Sequence, residues 1–254
     1  MRSFGRTLGF AFAVASSLSS VACAARQPAA AAYGADEARA FVEARAMLDR
    51  LRAPALVGRT EKVGITLDAP YLPSQVSARG AIAARPPDGL RMILLGPGGT
   101  TAMDLWVGGE RFRFAIPALE RVLRGDENTP PEKKRGLPVD FLRWWMLNPL
   151  GGELIAARHG ANGALEILLR EDARITEATL ASDGSVTAHR TTMLARPDGT
   201  FRVLEEEWLE ATSLGCAKAV YRQKTTSLTV TATCESTRPS LNEEALKEPE
   251  DPAP

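Results

Sequence analysis

The sequence predicts a mainly β, α+β fold: an incomplete antiparallel β-barrel of about eleven strands with helices covering one opening. Three observations lead there. Most of the chain between residues 59 and 236 breaks into short segments whose apolar residues recur every second position, separated by Gly, Pro, Asp or Asn. One amphipathic helical stretch precedes them, and one apolar stretch, "GLPVDFLRWWMLNPL" (136–150), interrupts them.

The elements follow in chain order. Arg2 and Arg6 precede the uncharged run "TLGFAFAVASSLSSVACA", which has the basic, apolar and small-residue regions of a secretory signal peptide over residues 1–22. Up to Cys23 the run is about 16 residues, short of the roughly 20 that span a bilayer. "SVAC" resembles the bacterial lipobox, with Ser20 where that motif usually has Leu. The resemblance implies cleavage before Cys23 and its lipidation, and each buried CH₂ of an acyl chain contributes about 0.8 kcal/mol to membrane anchoring. Ordinary signal-peptidase cleavage after "ACA" is the alternative, and it discards Cys23. Either way Cys216 and Cys234 are left as an even pair in an exported protein, which makes them a disulfide candidate. Residues 23–35, Ala-rich, read as a tether.

"ADEARAFVEARAMLDRLR" places Phe41, Ala44, Leu48 and Leu51 along one stripe, carries Asp36 and Glu37 at its start, and stops before Pro54. It opens a domain over 36–236. The strand segments run from "RTEKVGITLDA" to "TSLTVTATCES", about eleven or twelve in an antiparallel meander. Their alternation defines one apolar face: Leu90, Met92 and Leu94; Met103, Leu105 and Val107 opposite Asp104; Phe112 and Phe114 opposite Arg111 and Arg113. A filled core and a ligand cavity both fit that face.

With Pro138 as the first helical residue of the interrupting stretch, Val139, Leu142, Trp145 and Met146 fall on one side and Phe141 and Trp144 on another. Only a narrow edge of Asp140, Arg143 and Leu147 is left. A helix this apolar needs cover on most sides. The tail 237–254 is acidic and Pro-rich and is expected to fray at its end.

"LRMILLGPGGTTAMDLWVGGERF" followed by "GLPVDFLRWWMLNP" resembles the outer-membrane lipoprotein receptor family of LolB, and with it the periplasmic carrier LolA. The shared pattern is a strand, a Pro-Gly turn, an alternating strand and a Leu-Pro-x-x-x-Leu-x-x-Trp helix. The resemblance implies helices as a lid over a cavity for the acyl chains of lipoproteins or other lipids. Leu142, Trp145 and Met146 would line or cover it, with Met92, Leu94, Met103, Leu105, Phe112 and Phe114 as the sheet wall. It further implies a LolA-like carrier as partner and an outer-membrane location facing the periplasm, which Ala24 rather than Asp after Cys23 favours. One position departs from the family: its turn carries an exposed bulky apolar residue that enters the membrane, and here Gly98 occupies that place. "GPGGTT" reads instead as a tight turn in which Gly96, Gly98 and Gly99 supply positive φ.

Other classes fare poorly. The formal charge is zero, with 31 basic and 31 acidic residues, and losing Arg2 and Arg6 brings it to about −2, so no attraction to nucleic acid follows. His159 and His189, the two histidines, lie in separate strand segments without metal spacing or a nucleophile motif, and neither an enzyme nor a cofactor is expected. "EEE", Glu205–Glu207, reads as a solvated strand end, and "PPEKKR" as a polar loop.

Overall fold

A computed structural model describes residues 34–55, 57–134 and 137–250. Cys23, the signal peptide and nearly all of the tether lie outside the described residues. The first helix, α1 (Ala35–Ala55), has Asp36 and Glu37 in its first turn and Arg52 in its last, both favourable to the helix dipole. It runs one residue past Pro54, where a stop before that proline was expected. Its buried line is Ala40, Ala44 and Leu48; Phe41, Met47 and Leu51 are only partly covered. Small alanines let the helix approach its neighbours closely.

Among the described residues thirteen strands make one antiparallel sheet. They are β1 (Arg59–Asp68), β2 (Val76–Arg85), β3 (Gly89–Leu95), β4 (Thr101–Gly108), β5 (Arg111–Ile116), β6 (Arg121–Asp126) and β7 (Glu153–His159). The remainder are β8 (Leu165–Glu171), β9 (Arg174–Leu180), β10 (Val186–Ala195), β11 (Phe201–Ala211), β12 (Lys218–Gln223) and β13 (Leu228–Arg238). The spatial order is β6-β5-β4-β3-β2-β1-β13-β12-β11-β10-β9-β8-β7, so two meanders meet where β1 pairs with β13. The sheet is not closed into a barrel, and β6 and β7 are its edges.

The strand count exceeds the expected eleven or twelve by β6. "RVLRGD" lacks period-two alternation, and its burial shows why: five of its six residues are exposed, as an edge strand without a dry face permits. The other twelve strands fall on the segments whose alternation marked them.

Thirteen strands laid flat at about 4.8 Å spacing would span nearly 60 Å. A single buried cluster nevertheless joins Met92 and Phe112 of one wing to Ile167 and Leu209 of the other. The sheet is therefore curled, and what it curls around is the crossover between its edges. That crossover contains α2 (Val139–Leu142), which continues as a π-helical turn over Arg143–Leu147. Asn148 N–H donates to the Arg143 carbonyl over 2.9 Å, the i→i+5 bond of a π turn.

Widening the turn has a consequence for sequence phase. Each residue advances about 20° less than in an α-helix, so the five residues of the turn drift inward by nearly a quarter turn. Leu147, expected on the polar edge, is buried.

Outside β3–β5 the tail packs against the sheet. Glu243–Leu246 forms a short helical turn, and the Trp106 indole N–H donates to the Leu246 carbonyl over 2.7 Å. Arg111 pairs with Glu248 at 3.1 Å, and Arg113 donates to the Glu250 carbonyl. Asp104, Trp106, Arg113 and Ala115 are buried on what alternation alone marks as the wet face. Arg91 holds Asp104 with two bonds of 2.9 and 2.8 Å. The disulfide joins Cys216, in the β11–β12 connection, to Cys234 of β13, with Cα atoms 5.0 Å apart.

Candidate functional site

The interior of the curled sheet holds the apolar crossover segment around α2. At one rim the Arg143 guanidinium donates to the carbonyls of Glu110 and Arg111, in the β4–β5 turn. On the other wing Asn148 donates to the Glu171 carboxylate over 2.6 Å, beside the β8–β9 turn. Along the same segment Phe141 lies 5.5 Å from the Tyr221 ring, Trp144 meets the same ring edge-on at 6.5 Å, and Met146 sulfur approaches Arg59. The crossover is thus tied to the two wings by polar contacts from Arg143 and Asn148 and packed by apolar contacts along its length.

All nine residues expected around a cavity come together here. Met92, Leu94, Leu105, Phe112, Phe114, Leu142, Trp145 and Met146 are buried and Met103 is partly buried against them, all in one cluster. They fill the space between sheet and helix. Three clefts open elsewhere, and none of the nine lines them. A cleft of about 710 Å³ runs across β7–β11 below Glu37 and includes His189 and Trp208. One of about 260 Å³ lies between Met47 and Leu51 of α1 and the β9–β10 turn. The third, about 310 Å³, is lined by Pro87, Gly109, Arg143, Arg174 and Arg190 among others, where the two wings approach each other.

Sequence phase missed a buried polar cluster against the same helix. Arg190 donates from Nε and Nη2 to the two oxygens of Glu207, over 2.7 and 2.8 Å. The Tyr221 hydroxyl donates to Glu207 Oε1 over 2.6 Å, and the Arg190 guanidinium lies over the Trp144 ring at 4.2 Å. Burial disfavours the Arg190 cation, but the charge and hydrogen bonding of Glu207, with Tyr221 and Asp140 nearby, together outweigh it and hold its pKa above the ordinary arginine value. Burial, reinforced by the negative charge of Glu207, drives the Tyr221 pKa well up. Asp140 accepts from Lys134 over 2.8 Å at the edge of this cluster.

The "EEE" reading therefore needs correction. Glu205 and Glu207 point inward with Leu209 and Ala211, and only Glu206 keeps partial exposure. Their phase was the available signal: Val186, Ala188 and Arg190 on one strand face Glu207, Leu209 and Ala211 on the next, so opposite charges occupy inward positions on paired strands. "PPEKKR" also contributes a buried residue, Lys134.

The Glu43 carboxylate accepts from His159 Nε2 at 2.9 Å, whereas His189 stacks on Trp208 at 5.1 Å and approaches Glu206 at 3.6 Å. Among the described residues no group of three or more His, Cys, Asp or Glu side chains is placed to hold a metal, and no helix is long and apolar enough to cross a membrane. In the β3–β4 turn Pro97 and Gly98 form a type II turn, Gly98 at φ 74° and ψ 9°, with Gly99 N–H donating to the Gly96 carbonyl. Gly98 and Gly99 have positive φ, as expected; Gly96 does not, at φ −90°.

The architecture defines a class: an open antiparallel sheet curled about an apolar crossover. Solved structures similar to it include a LolA superfamily protein from Nitrosomonas europaea, 10% identical, with a TM-score of 0.49 over 84% of this chain and 98% of that one. A domain described as an outer membrane lipoprotein-sorting protein from Vibrio parahaemolyticus is 12% identical, with a TM-score of 0.42 over 79% and 94%. A DUF1329 family protein from Desulfovibrio piger is 9% identical, with a TM-score of 0.44 over 84% and 98%. No protein-family profile and no curated protein matches the sequence.

Proposed function

We propose that this is a lipid-anchored envelope protein that binds acyl chains, of lipoproteins or free lipids, inside the curled sheet, and that it is a binding protein rather than an enzyme. The observation that carries the reading is the crossover itself. Phe141, Leu142, Trp144, Trp145, Met146 and Leu147 occupy the concave face as a plug whose polar ties, Arg143 and Asn148, reach one to each wing of the sheet. An acyl chain entering there replaces apolar contacts with apolar contacts, at roughly 25 cal/mol per Å² of surface taken from water, and the plug moves aside. Cys23 carries the anchor, 23–35 is the tether, 36–236 the binding domain and 237–254 the tail.

By the resemblance to LolB, the anchor holds the protein at the outer membrane of a Gram-negative bacterium, and a LolA-like carrier delivers the cargo. Gly98 separates holding from inserting. A Cβ added at Gly98 meets only open space, but the backbone there is left-handed, so Gly98→Leu costs about 1 kcal/mol of strain while restoring a bulky apolar residue.

A second reading is favoured by the dense interior: a structural or complex-forming envelope protein whose core is permanently filled. Native mass spectrometry of the purified protein separates the two. Co-purified lipid or lipoprotein, together with binding of a fluorescent fatty acid that Trp145→Ala alters, supports the first. An empty domain that takes up no acyl probe leaves only the second. Incorporation of radiolabelled palmitate in the wild type and its loss in Cys23→Ala tests the anchor.

A further inference from the structure

The cleft of about 310 Å³ between the wings is lined by charges that are only partly paired. Its buried lining is Trp144, Leu147 and Arg190, the last held by Glu207. Toward solvent it carries Arg143 and Arg174 together with Glu127 and Glu171. The Arg143 guanidinium donates only to neutral acceptors, the carbonyls of Glu110 and Arg111, and its Nε is buried without a partner. Glu127, exposed just past β6, has neither a hydrogen bond nor an ion pair among the described residues. Arg174 meets Glu171 only at 3.9 Å, and Glu171 is shared with Asn148.

Burial lowers the Arg143 pKa and the like charge of Arg174 adds to that, against Asp140, Glu127 and Glu110, which raise it. Glu127 thus acts on Arg143 through space while lining the same cleft. A cation and an anion that face one cleft without touching are complementary to a ligand that carries both charges. A purely anionic ligand would meet Glu127 and Glu171, and a purely cationic one would meet three guanidiniums. Phosphate oxygens match the forked N–H donors of arginine, and a primary ammonium offers three donors to carboxylates. The apolar lining indicates what such a zwitterion is attached to. Trp144 and Leu147 belong to the plug as well as to the cleft, so chains linked to a group held there arrive at the plug's own apolar contacts.

We propose that this cleft is the head-group site for an amine-bearing phospholipid, with the phosphate on Arg143 and Arg174 and the ammonium on Glu127 and Glu171. The assignment deepens the acyl-binding reading and rests on it for the chains alone. Occupancy also bears on the plug. Arg143, Asn148 and Glu171, which tie the crossover to the wings, all line the cleft, so a head group competing for their donors and acceptors loosens the plug as its chains arrive.

The test titrates the full chain with Cys23→Ala, so that no anchor competes, by isothermal titration calorimetry. The probes are dihexanoyl phosphatidylethanolamine, dihexanoyl phosphatidylglycerol and dihexanoylglycerol, each below its micellar concentration. Phosphatidylethanolamine binds about tenfold more tightly than phosphatidylglycerol, and dihexanoylglycerol, with the same chains and no head group, binds more weakly than both. Arg174→Gln weakens both phospholipids about tenfold, and Glu127→Gln lowers the ratio of their affinities about fivefold. Phospholipids bound no more tightly than dihexanoylglycerol, affinities unmoved by Arg174→Gln, a ratio unmoved by Glu127→Gln, or no binding of any probe overturns the proposal. Glycerophosphoethanolamine, which has no chains, separates the two readings. If it binds with the same dependence on Glu127 and the chains add nothing, the head-group site stands and the acyl-binding reading fails. If dihexanoylglycerol binds and the head groups add nothing, the reverse holds. Near-UV circular dichroism confirms that each variant is folded, and if Arg174→Gln is not, Glu127→Gln at its exposed position still decides.

Discussion

Replacing Glu207 by Leu strands a cation in the interior. In the folded protein Arg190 is buried and bonded twice to Glu207, with the Tyr221 hydroxyl on the same carboxylate. Removing one partner of a buried pair costs about 3–5 kcal/mol, because the remaining charge keeps its desolvation penalty without its counter-ion. The Tyr221 hydroxyl loses its acceptor as well, worth about 1–3 kcal/mol if no water replaces it. These losses overlap, so about 4 kcal/mol is expected for Glu207→Leu. Arg190→Met combined with Glu207→Leu removes both charges and recovers most of it, leaving chiefly the hydroxyl, and Tyr221→Phe recovers that too. Urea unfolding followed by circular dichroism measures each variant. Trp144 fluorescence reports the same site, since the guanidinium lies over its ring. A loss under about 1 kcal/mol for Glu207→Leu, or a double variant less stable than the single, would refute the reasoning.

Three further outcomes are expected. Replacing Cys216 and Cys234 together by Ala, which opens a cross-link of sequence separation 18, lowers stability by about 3 kcal/mol in the same urea assay. Glu205 is buried with Oε2 unpartnered among the described residues, and burial raises its pKa above the ordinary carboxylate value. The unfolded chain releases that proton more readily, so stability falls as pH rises from the ordinary glutamate range through the raised folded pKa; Glu205→Gln stabilises at neutral pH, and its advantage disappears below the ordinary glutamate range in a pH series of urea midpoints. Ending the chain at Arg238 uncovers Trp106 and Ala115, which shifts Trp106 emission to the red and speeds amide exchange in β4 and β5.

The fold was readable where one face is dry and the other wet, because burial then imposes a period on the sequence. Twelve strands carry that period in their residue types, although β4 and β5 prove buried on both faces. β6 does not: Arg121, Val122 and Leu123 are all exposed, so nothing forces alternation. The phase of the apolar crossover was readable through Met146 and failed at Leu147, because a π turn depends on one hydrogen bond, Asn148 to Arg143, that residue type does not announce. Residues marked for a cavity were found together because they share faces of consecutive strands and one helix. Whether they enclose space or fill it depends on how far two wings curl, which no local pattern encodes. The wet face of β4 and β5 was misjudged for a similar reason: its cover arrives from a segment more than a hundred residues away, through Leu246 and Glu250.

The β1–β13 junction has a further consequence, for the order in which the chain can fold. Every other strand pairing in the sheet joins neighbours in sequence, so each can zip from its own turn at small entropic cost. Thr60 opposite Arg238 closes almost the whole domain at once. The six strands before the crossover and the seven after it are then two independently growing ribbons, and the slow step is their meeting. Substitutions along that seam, such as at Ile65 or Ala232, retard folding, whereas comparable changes in the outer hairpins mainly hasten unfolding. The disulfide reaches the seam itself, since Cys234 of β13 opposes Val63 across it, and by tying β13 back to Cys216 it fixes one side of the junction before the other arrives.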